Sequence, residues 1–426
     1  MKVALYNLGC KVNSYELMAI EFIFKQEGFE VVDFSDYADV YVINTCSVTN
    51  QSDVKSRKVI RTCKRKNPNA CVAVMGCFSQ LNSEKCKEIG CDIILGTSNR
   101  NKLPELVFEY LKDKKQQTLI TPSKEIKEFE KMEATEFEHT RAFLKIQDGC
   151  NNFCSYCIIP YARGRMRSKN PNDVINESKG IVKKGYKEIV LSGIHTGGYG
   201  VDINYPFSKL VKRILDEVDG LERLRISSIE INQIDDLLLD LIKNNKVMCH
   251  HLHLPVQSCN NNVLKDMNRH YTIEEYIDKI NYIRSLIPDI SITTDIIIGY
   301  PTETDSDFDN TLENVFKINF SFMHIFPFSK RSGTKCEKYK EINGIIMKNR
   351  FNRLNEINLK LANDYAKKFE NKTLDFIPEE FIDGYLVGHT NNFLKVKVAG
   401  KKECIGNIYQ ILIEKGAFPL CEGKII

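Results

Sequence analysis

Cys150 to Cys157 reads Cys-Asn-Asn-Phe-Cys-Ser-Tyr-Cys, three thiols within eight residues. Thiols this close cannot sit on separate elements, so the stretch is a metal loop. Thiolates select soft or borderline metals, which leaves zinc and iron-sulfur as candidates. Structural zinc takes four protein ligands, and no fourth Cys or His follows at finger spacing within the next thirty residues. An iron-sulfur cube held at three corners would instead leave one iron open to a small chelating ligand. Zinc and iron-sulfur both remain open on these residues alone.

The rest of the chain must build a scaffold around that loop. At 426 residues it exceeds what one hydrophobic core supports, so two or three domains are expected. Fifteen cysteines, an odd number without the dense even spacing of a secreted disulfide framework, fit a reducing compartment. The net charge of +4 assigns nucleic-acid contact, where it occurs, to local patches. Residues 1–9 turn polar too soon for a signal peptide, and no apolar run reaches the length of a membrane span. A cytoplasmic protein with no membrane partner is expected.

The first hundred residues repeat one pattern three times, a short β-rich apolar run with a Cys at its end. Residues 2–8 lead to Cys10, 39–43 to Cys46 and 71–75 to Cys77, with helical patterns at 14–27 and 52–66 between them. Alternating strand and helix predicts a parallel α/β sheet, whose ligands bind beyond the carboxyl ends of the strands. Cys10, Cys46 and Cys77 are therefore expected to converge on one edge. Cys63, Cys71, Cys86 and Cys91 read as ordinary buried thiols, and Cys249, Cys259, Cys336, Cys404 and Cys421 have no assigned role. The helix after Cys46 carries Lys55, Arg57, Lys58, Arg61, Lys64, Arg65 and Lys66, a face that suits phosphates or plain solvent. A Lys/Glu-rich segment, 113–138, reads as a linker.

A new strand over 141–147 delivers the Cys150 loop at its carboxyl end. Five further strands are predicted at 189–191, 224–227, 251–254, 290–298 and 322–328, with helices between, as at 172–184 and 272–286. Six such units make an open relative of the (β/α)8 barrel, whose chemistry sits at the strand carboxyl ends. Those ends are polar here: Gly193 and His195 after the second strand, Ser228 and Glu230 after the third, and Gln257 after the fourth. Asp295 lies on the fifth. His251 and His253 share one face and His250 the other, which suits hydrogen bonding better than metal ligation. Arg163, Arg165 and Arg167 follow the cysteine loop and could pair a carboxylate or RNA phosphates bidentately. A helix over 345–370 precedes short strands at 373–377, 384–389, 393–398 and 404–413, the pattern of a small antiparallel barrel with Lys395 and Lys397 on one hairpin.

Taken together, LGCKVN at 8–13, INTCSVT at 43–49, GCFSQ at 76–80, IQDGCNNFCSYCIIPYARGRMRS and TTDIIIGYPTET resemble the methylthiotransferase family of radical S-adenosylmethionine (SAM) enzymes over nearly the whole chain. The resemblance implies an N-terminal methylthiotransferase domain (1–112), a radical SAM domain (139–370) forming a partial (β/α)6 TIM-like barrel, and a C-terminal TRAM RNA-binding barrel (371–426). It makes Cys10, Cys46 and Cys77 ligands of an auxiliary 4Fe-4S cluster and Cys150, Cys154 and Cys157 ligands of the SAM cluster. Tyr156, Gly193, Ser228, Glu230, Gln257 and Asp295 become candidates for SAM, and Arg163, Arg165, Arg167, Lys395 and Lys397 for tRNA. The LGCKVN opening resembles the branch that adds a methylthio group to C2 of N6-threonylcarbamoyladenosine at tRNA position 37. An unactivated C–H requires radical chemistry, with an electron donor such as flavodoxin or ferredoxin and a sulfur donor as partners. The isopentenyladenosine and ribosomal-protein branches are the alternative substrates, and a zinc-stabilised RNA-binding protein is the non-enzyme alternative. Ile231 and Cys259 depart from the family pattern, where Pro and Gly are usual, and bear on local loop shape.

Overall fold

The computed structural model describes all residues except Thr135, Glu138 and His139, on which the boundary expected between linker and central domain falls. Six strands, β1 (Lys2–Asn7), β2 (Glu30–Val32), β3 (Val40–Thr45), β4 (Cys71–Gly76), β5 (Ile93–Leu95) and β6 (Gln117–Leu119), form a wholly parallel sheet in the order β2-β1-β3-β4-β5-β6. Strands β3 and β4 are buried along their whole length, which is why they read as continuous apolar runs. Three-residue strands such as β2, β5 and β6 carry no readable period. One of them, β6, lies in the segment expected to be a linker and pairs with β5.

The order reverses between β1 and β3, so the connections leave those two strands toward opposite faces and open a crevice at their carboxyl ends. Helix Lys11–Gln26 begins one residue after Cys10, and helix Asn50–Lys66 is capped by Thr49, whose side chain accepts the Ser52 N–H at 3.2 Å.

The central domain holds β7 (Arg141–Asp148), β8 (Arg167–Ser168), β9 (Glu188–Gly193), β10 (Arg223–Ile226), β11 (His251–His253), β12 (Ser291–Ile298) and β13 (Phe322–Pro327). Parallel ladders join β7, β9 and β10, and again β11, β12 and β13. Parallel bridges Leu224–Met248 and Ser228–His253 connect the two groups, giving the expected arc of six parallel strands. The two-residue β8 adds antiparallel to β7. One large apolar core runs beneath both sheets, from Val3 and Ile20 to Leu144, Leu224 and Ile292.

Helix Gly344–Lys367 leads into a closed barrel of β14 (Thr373–Ile382), β15 (Tyr385–Thr390), β16 (Lys395–Ala399), β17 (Tyr409–Lys415) and β18 (Cys421–Ile425). Its pairs are antiparallel except β16 with β18, which is parallel; β18 closes the barrel and was not foreseen from the pattern. The barrel is fastened to the central arc by buried charge. Glu188 binds Arg225 at 2.6 Å and Arg223 at 3.4 Å, while these arginines donate to the carbonyls of His389, Thr390 and Asn391. Phe393 stacks on His251 and His389, with centroids 4.5 and 4.7 Å away, and lies under the Arg141 and Arg225 guanidinium groups. Among the described residues no helix is long and apolar enough to cross a membrane.

Candidate metal centres and the recess beside them

Register sets the first centre. Asn7 pairs with Asn44 and Thr45 with Gly76, so the chain segments after β1, β3 and β4 emerge side by side, and Cys10, Cys46 and Cys77 lie within electrostatic reach of one another. Gly76 makes the last turn possible. Its φ is +108°, and a Cβ there would stand 2.4 Å from the Thr45 carbonyl oxygen. Asn13 knits the site together: it accepts from the Cys10 Sγ at 3.5 Å and donates to Asn44 Oδ1 at 2.9 Å and to the Thr45 carbonyl at 3.2 Å.

The second centre is the Cys150 loop. Gly149, with φ +72°, lets the chain pass the Arg165 carbonyl, which a Cβ would approach to 2.0 Å. The Asn152 N–H donates to Cys150 Sγ at 3.4 Å and Arg269 Nη1 reaches Cys154 Sγ at 3.8 Å. The two centres are neighbours: Cys77 acts electrostatically on Cys157, and Arg163, six residues beyond Cys157, reaches Cys77.

Arg163 links them. It ends the short helix Ile159–Arg163 that follows Cys157, yet its Nε donates to Cys77 Sγ at 3.3 Å and its Nη2 to Asn13 at 3.0 Å. The same guanidinium binds Glu16 at 2.8 Å and Asp148 at 3.0 Å, and around those carboxylates gather Arg100, Lys145 and Arg167. Burial alone would push the Glu16 carboxyl up; Arg100, Arg163 and Lys145 outweigh it and hold it well below the usual carboxylate range. Arg163 and Arg167 are wholly or nearly buried, so the expectation that they meet phosphate is corrected: internal carboxylates claim them. Arg165 alone of the three faces outward, its guanidinium 4.6 Å above the Phe153 ring.

Donor chemistry suits iron-sulfur at both centres. Burial pushes the Cys77 thiol up to about 11, Cys150 to about 11 and Cys157 to about 12, so these sulfurs become thiolates only against a bound cation. N–H groups aimed at Cys77, Cys150 and Cys154 then stabilise the metallated form. Among the described residues no three His, Cys, Asp or Glu side chains are placed to hold a single metal ion. A cube asks for something else, one thiolate per iron corner. All fifteen cysteines are free; Cys63, Cys71, Cys86, Cys91, Cys249, Cys259, Cys336 and Cys421 are buried packing residues, and Cys404 is half-buried.

Beside Cys154 lies a recess of about 130 Å³ lined by Asn152, His195, Glu230, Gln233, Arg269 and Tyr271. Arg269 Nη1 binds Glu230 at 2.8 Å, and its Nη2 contacts the same carboxylate and, at 2.9 Å, the Pro255 carbonyl. His195 receives Gln233 at Nε2 and leaves a buried Nδ1 without a partner among the described residues. Of the SAM candidates, Glu230 lines this recess, while Tyr156 packs near Cys154 and Arg269. Ser228 is exposed at the end of β10. Gly193 faces Gln147, Asp295 is held by His253 at 3.2 Å, and Gln257, at φ +69°, bonds through its backbone to Asp295. Those three do not line the recess. Arg269 and Tyr271 were missed because they follow a helix, not a strand; the polar, aromatic run 268–271 was the available signal. On the outer surface Lys395 is exposed, Lys397 is engaged by Glu422 at 3.1 Å, and Lys64 by Asp92 at 2.5 Å.

The Radical SAM superfamily model matches residues 144–315, and that of Uncharacterized protein family UPF0004 matches residues 2–96. Threonylcarbamoyladenosine tRNA methylthiotransferase MtaB of Bacillus subtilis (strain 168) is 41% identical over 433 residues, spanning 100% of this chain and 96% of that protein. A tRNA-2-methylthio-N(6)-dimethylallyladenosine synthase of Clostridium botulinum is 34% identical over 431 residues, spanning 98% and 95%. Among solved structures, the radical S-adenosylmethionine methyltransferase TsrM from Kitasatospora setae superposes with a TM-score of 0.57 at 14% identity, over 76% of this chain and 72% of that one, a likeness of fold.

Proposed function

Because the chain belongs to the radical SAM tRNA methylthiotransferases, enzymes that use a 4Fe-4S cluster and SAM on tRNA, we propose that it adds a methylthio group to C2 of N6-threonylcarbamoyladenosine at tRNA position 37. Full-length identity of 41% to a threonylcarbamoyladenosine enzyme supports that substrate over the dimethylallyl one, matched at 34%. The observation that carries the chemistry is the meeting of two thiol triads across Arg163.

In this reading Cys150, Cys154 and Cys157 hold the SAM cluster, and Cys10, Cys46 and Cys77 hold a second 4Fe-4S cluster. When bound, the first supplies one-electron cleavage of SAM, hence the radical that an inert C–H requires, and the second presents the sulfur. The protein's part is placement. Arg163, held by Glu16 and Asp148, fixes Cys77 relative to the Cys150 loop. Arg269 and Glu230 present a cation and an anion to the recess, matching the carboxylate and hydroxyl or amino groups of SAM. Arg165, Lys395 and the exposed face of helix Asn50–Lys66 meet tRNA phosphates. An electron donor such as flavodoxin or ferredoxin and a sulfur donor complete the system, which operates in the cytoplasm.

Mass analysis of hydrolysed tRNA from a deletion strain tests the reading. Loss of 2-methylthio-N6-threonylcarbamoyladenosine supports it. An unchanged nucleoside profile, or loss of the isopentenyl counterpart alone, rejects it.

A further inference from the structure

A cation without a counter-ion stands at the first centre. Lys11 follows Cys10 directly, and its Nζ lies 6.0 Å from the centre of the Phe143 ring on β7. The charges that reach it belong to Arg141, Arg225, Glu188 and Cys10, and it acts in turn on His251 and His324. Those partners lie on β7, β9, β10, β11 and β13. A side chain sensed from five strands of the arc stands close to all of them, and Lys11 is nonetheless exposed.

Among the described residues Lys11 has no hydrogen-bonded or ion-paired oxygen. Three nearby carboxylates among the described residues are engaged elsewhere. Glu188 is held by Arg223 and Arg225, Asp295 by His253 at 3.2 Å, and Glu379 by Arg141 at 3.1 Å and His389 at 2.8 Å. The surface next to Cys10 therefore presents a positive charge that no carboxylate among the described residues pairs, and such a charge favours an incoming anion.

The covalent structure of the substrate says where that anion must be. Carbon 2 and the exocyclic N6 of adenine flank N1 on the same edge of the ring, so a group gripping the N6 substituent has to stand beside the site that reacts at C2. A threonylcarbamoyl substituent ends in a free carboxylate, whereas a dimethylallyl substituent is hydrocarbon. Resting on the function proposed above, we infer that Lys11 is a specificity-determining residue: its ammonium binds the threonyl carboxylate of the substrate and so helps set C2 toward the centre that Cys10 helps to form.

The test uses the full-length reconstituted enzyme and three tRNAs that differ only at position 37: threonylcarbamoyladenosine, its threoninamide analogue in which the carboxylate is a neutral amide, and dimethylallyladenosine. A charge-assisted hydrogen bond lost from a desolvated site lowers kcat/KM about 10- to 100-fold. The wild-type enzyme is expected to show that loss on the amide. Lys11→Gln should show it on the acid, with iron content unchanged and no further loss on the amide, while Lys11→Arg should retain most of the activity. Equal wild-type activity on acid and amide would overturn the inference whether or not Lys11→Gln folds, and so would an undiminished Lys11→Gln on the acid. A wild-type preference for the dimethylallyl tRNA would instead refute the proposed function.

Discussion

Glu16→Gln tests the charge network that joins the first two domains. The Glu16 carboxylate is fully buried and lies 2.5 Å from Arg100, 2.6 Å from Lys145 and 2.8 Å from Arg163. Glutamine keeps the shape and removes the charge, leaving four cations, Arg100, Lys145, Arg163 and Arg167, to Asp148 and Glu130. Breaking a buried pair from one side costs about 3–5 kcal/mol. At roughly 2–4 °C per kcal/mol for a domain of this size, the first thermal transition should fall by about 10 °C. The pH dependence supplies the sign. The folded carboxyl is held below its usual 4.5, so the stability it contributes is complete above that value and is lost as the pH falls below it; the gap between wild type and variant should close in acid. It should also narrow in alkali: burial already lowers Lys145 and Glu16 opposes that, so Lys145 is depressed further in the variant, which gains more stability than wild type as the pH rises. Differential scanning calorimetry of the two proteins from pH 3 to pH 9 measures both limbs. A variant melting within 1–2 °C of wild type at neutrality, or a gap that widens toward acid, would show that the network is not what holds these domains together.

Three further outcomes are expected. Cys10→Ala should lower the reconstituted iron from about eight to about four per chain while 5′-deoxyadenosine formation persists; unchanged iron would sink the two-cluster reading. Arg269→Ala removes the cation of the recess and strands Glu230 there, so SAM affinity measured by calorimetry should fall at least about tenfold, and an unaltered Kd would assign SAM to another site. Phe393→Ala deletes a ring stacked between His251 and His389 and should destabilise the attachment of the C-terminal barrel by about 3 kcal/mol, read as faster limited proteolysis between residues 367 and 373; unchanged cleavage would place the attachment in the Glu188 cluster alone.

The architecture was largely legible because its signals are local. Apolar runs that end in Cys mark strand and carboxyl-end loop at once, and a parallel sheet then brings Cys10, Cys46 and Cys77 to one end without any long-range information. The short strands β2, β5 and β6 were not legible, since three residues hold no period, and the parallel closure of β16 on β18 depends on partners that the pattern does not specify. Arg163 shows the deeper limit. From sequence it is one of three arginines in a loop, and nothing nearby reveals that Glu16, 147 residues away, will claim it. Arg269 was missed for the same reason: its meaning comes from Glu230 and Cys154, which lie on other segments.

The contact between Arg163 and Cys77 also has a temporal side. The guanidinium is encoded 86 residues after the thiol it binds. At about 5–20 residues per second the ribosome makes Cys77 roughly 4–17 seconds before it makes Arg163, and the whole Cys150 loop is polymerised in between. A chain stopped at residue 140 should accordingly take up iron poorly at Cys10, Cys46 and Cys77, and full loading of it would show the arginine to be dispensable. The contacts around Cys77 are therefore complete only after the Cys150 loop has been synthesised, so the order of synthesis sets the order in which the two thiol triads acquire their surroundings.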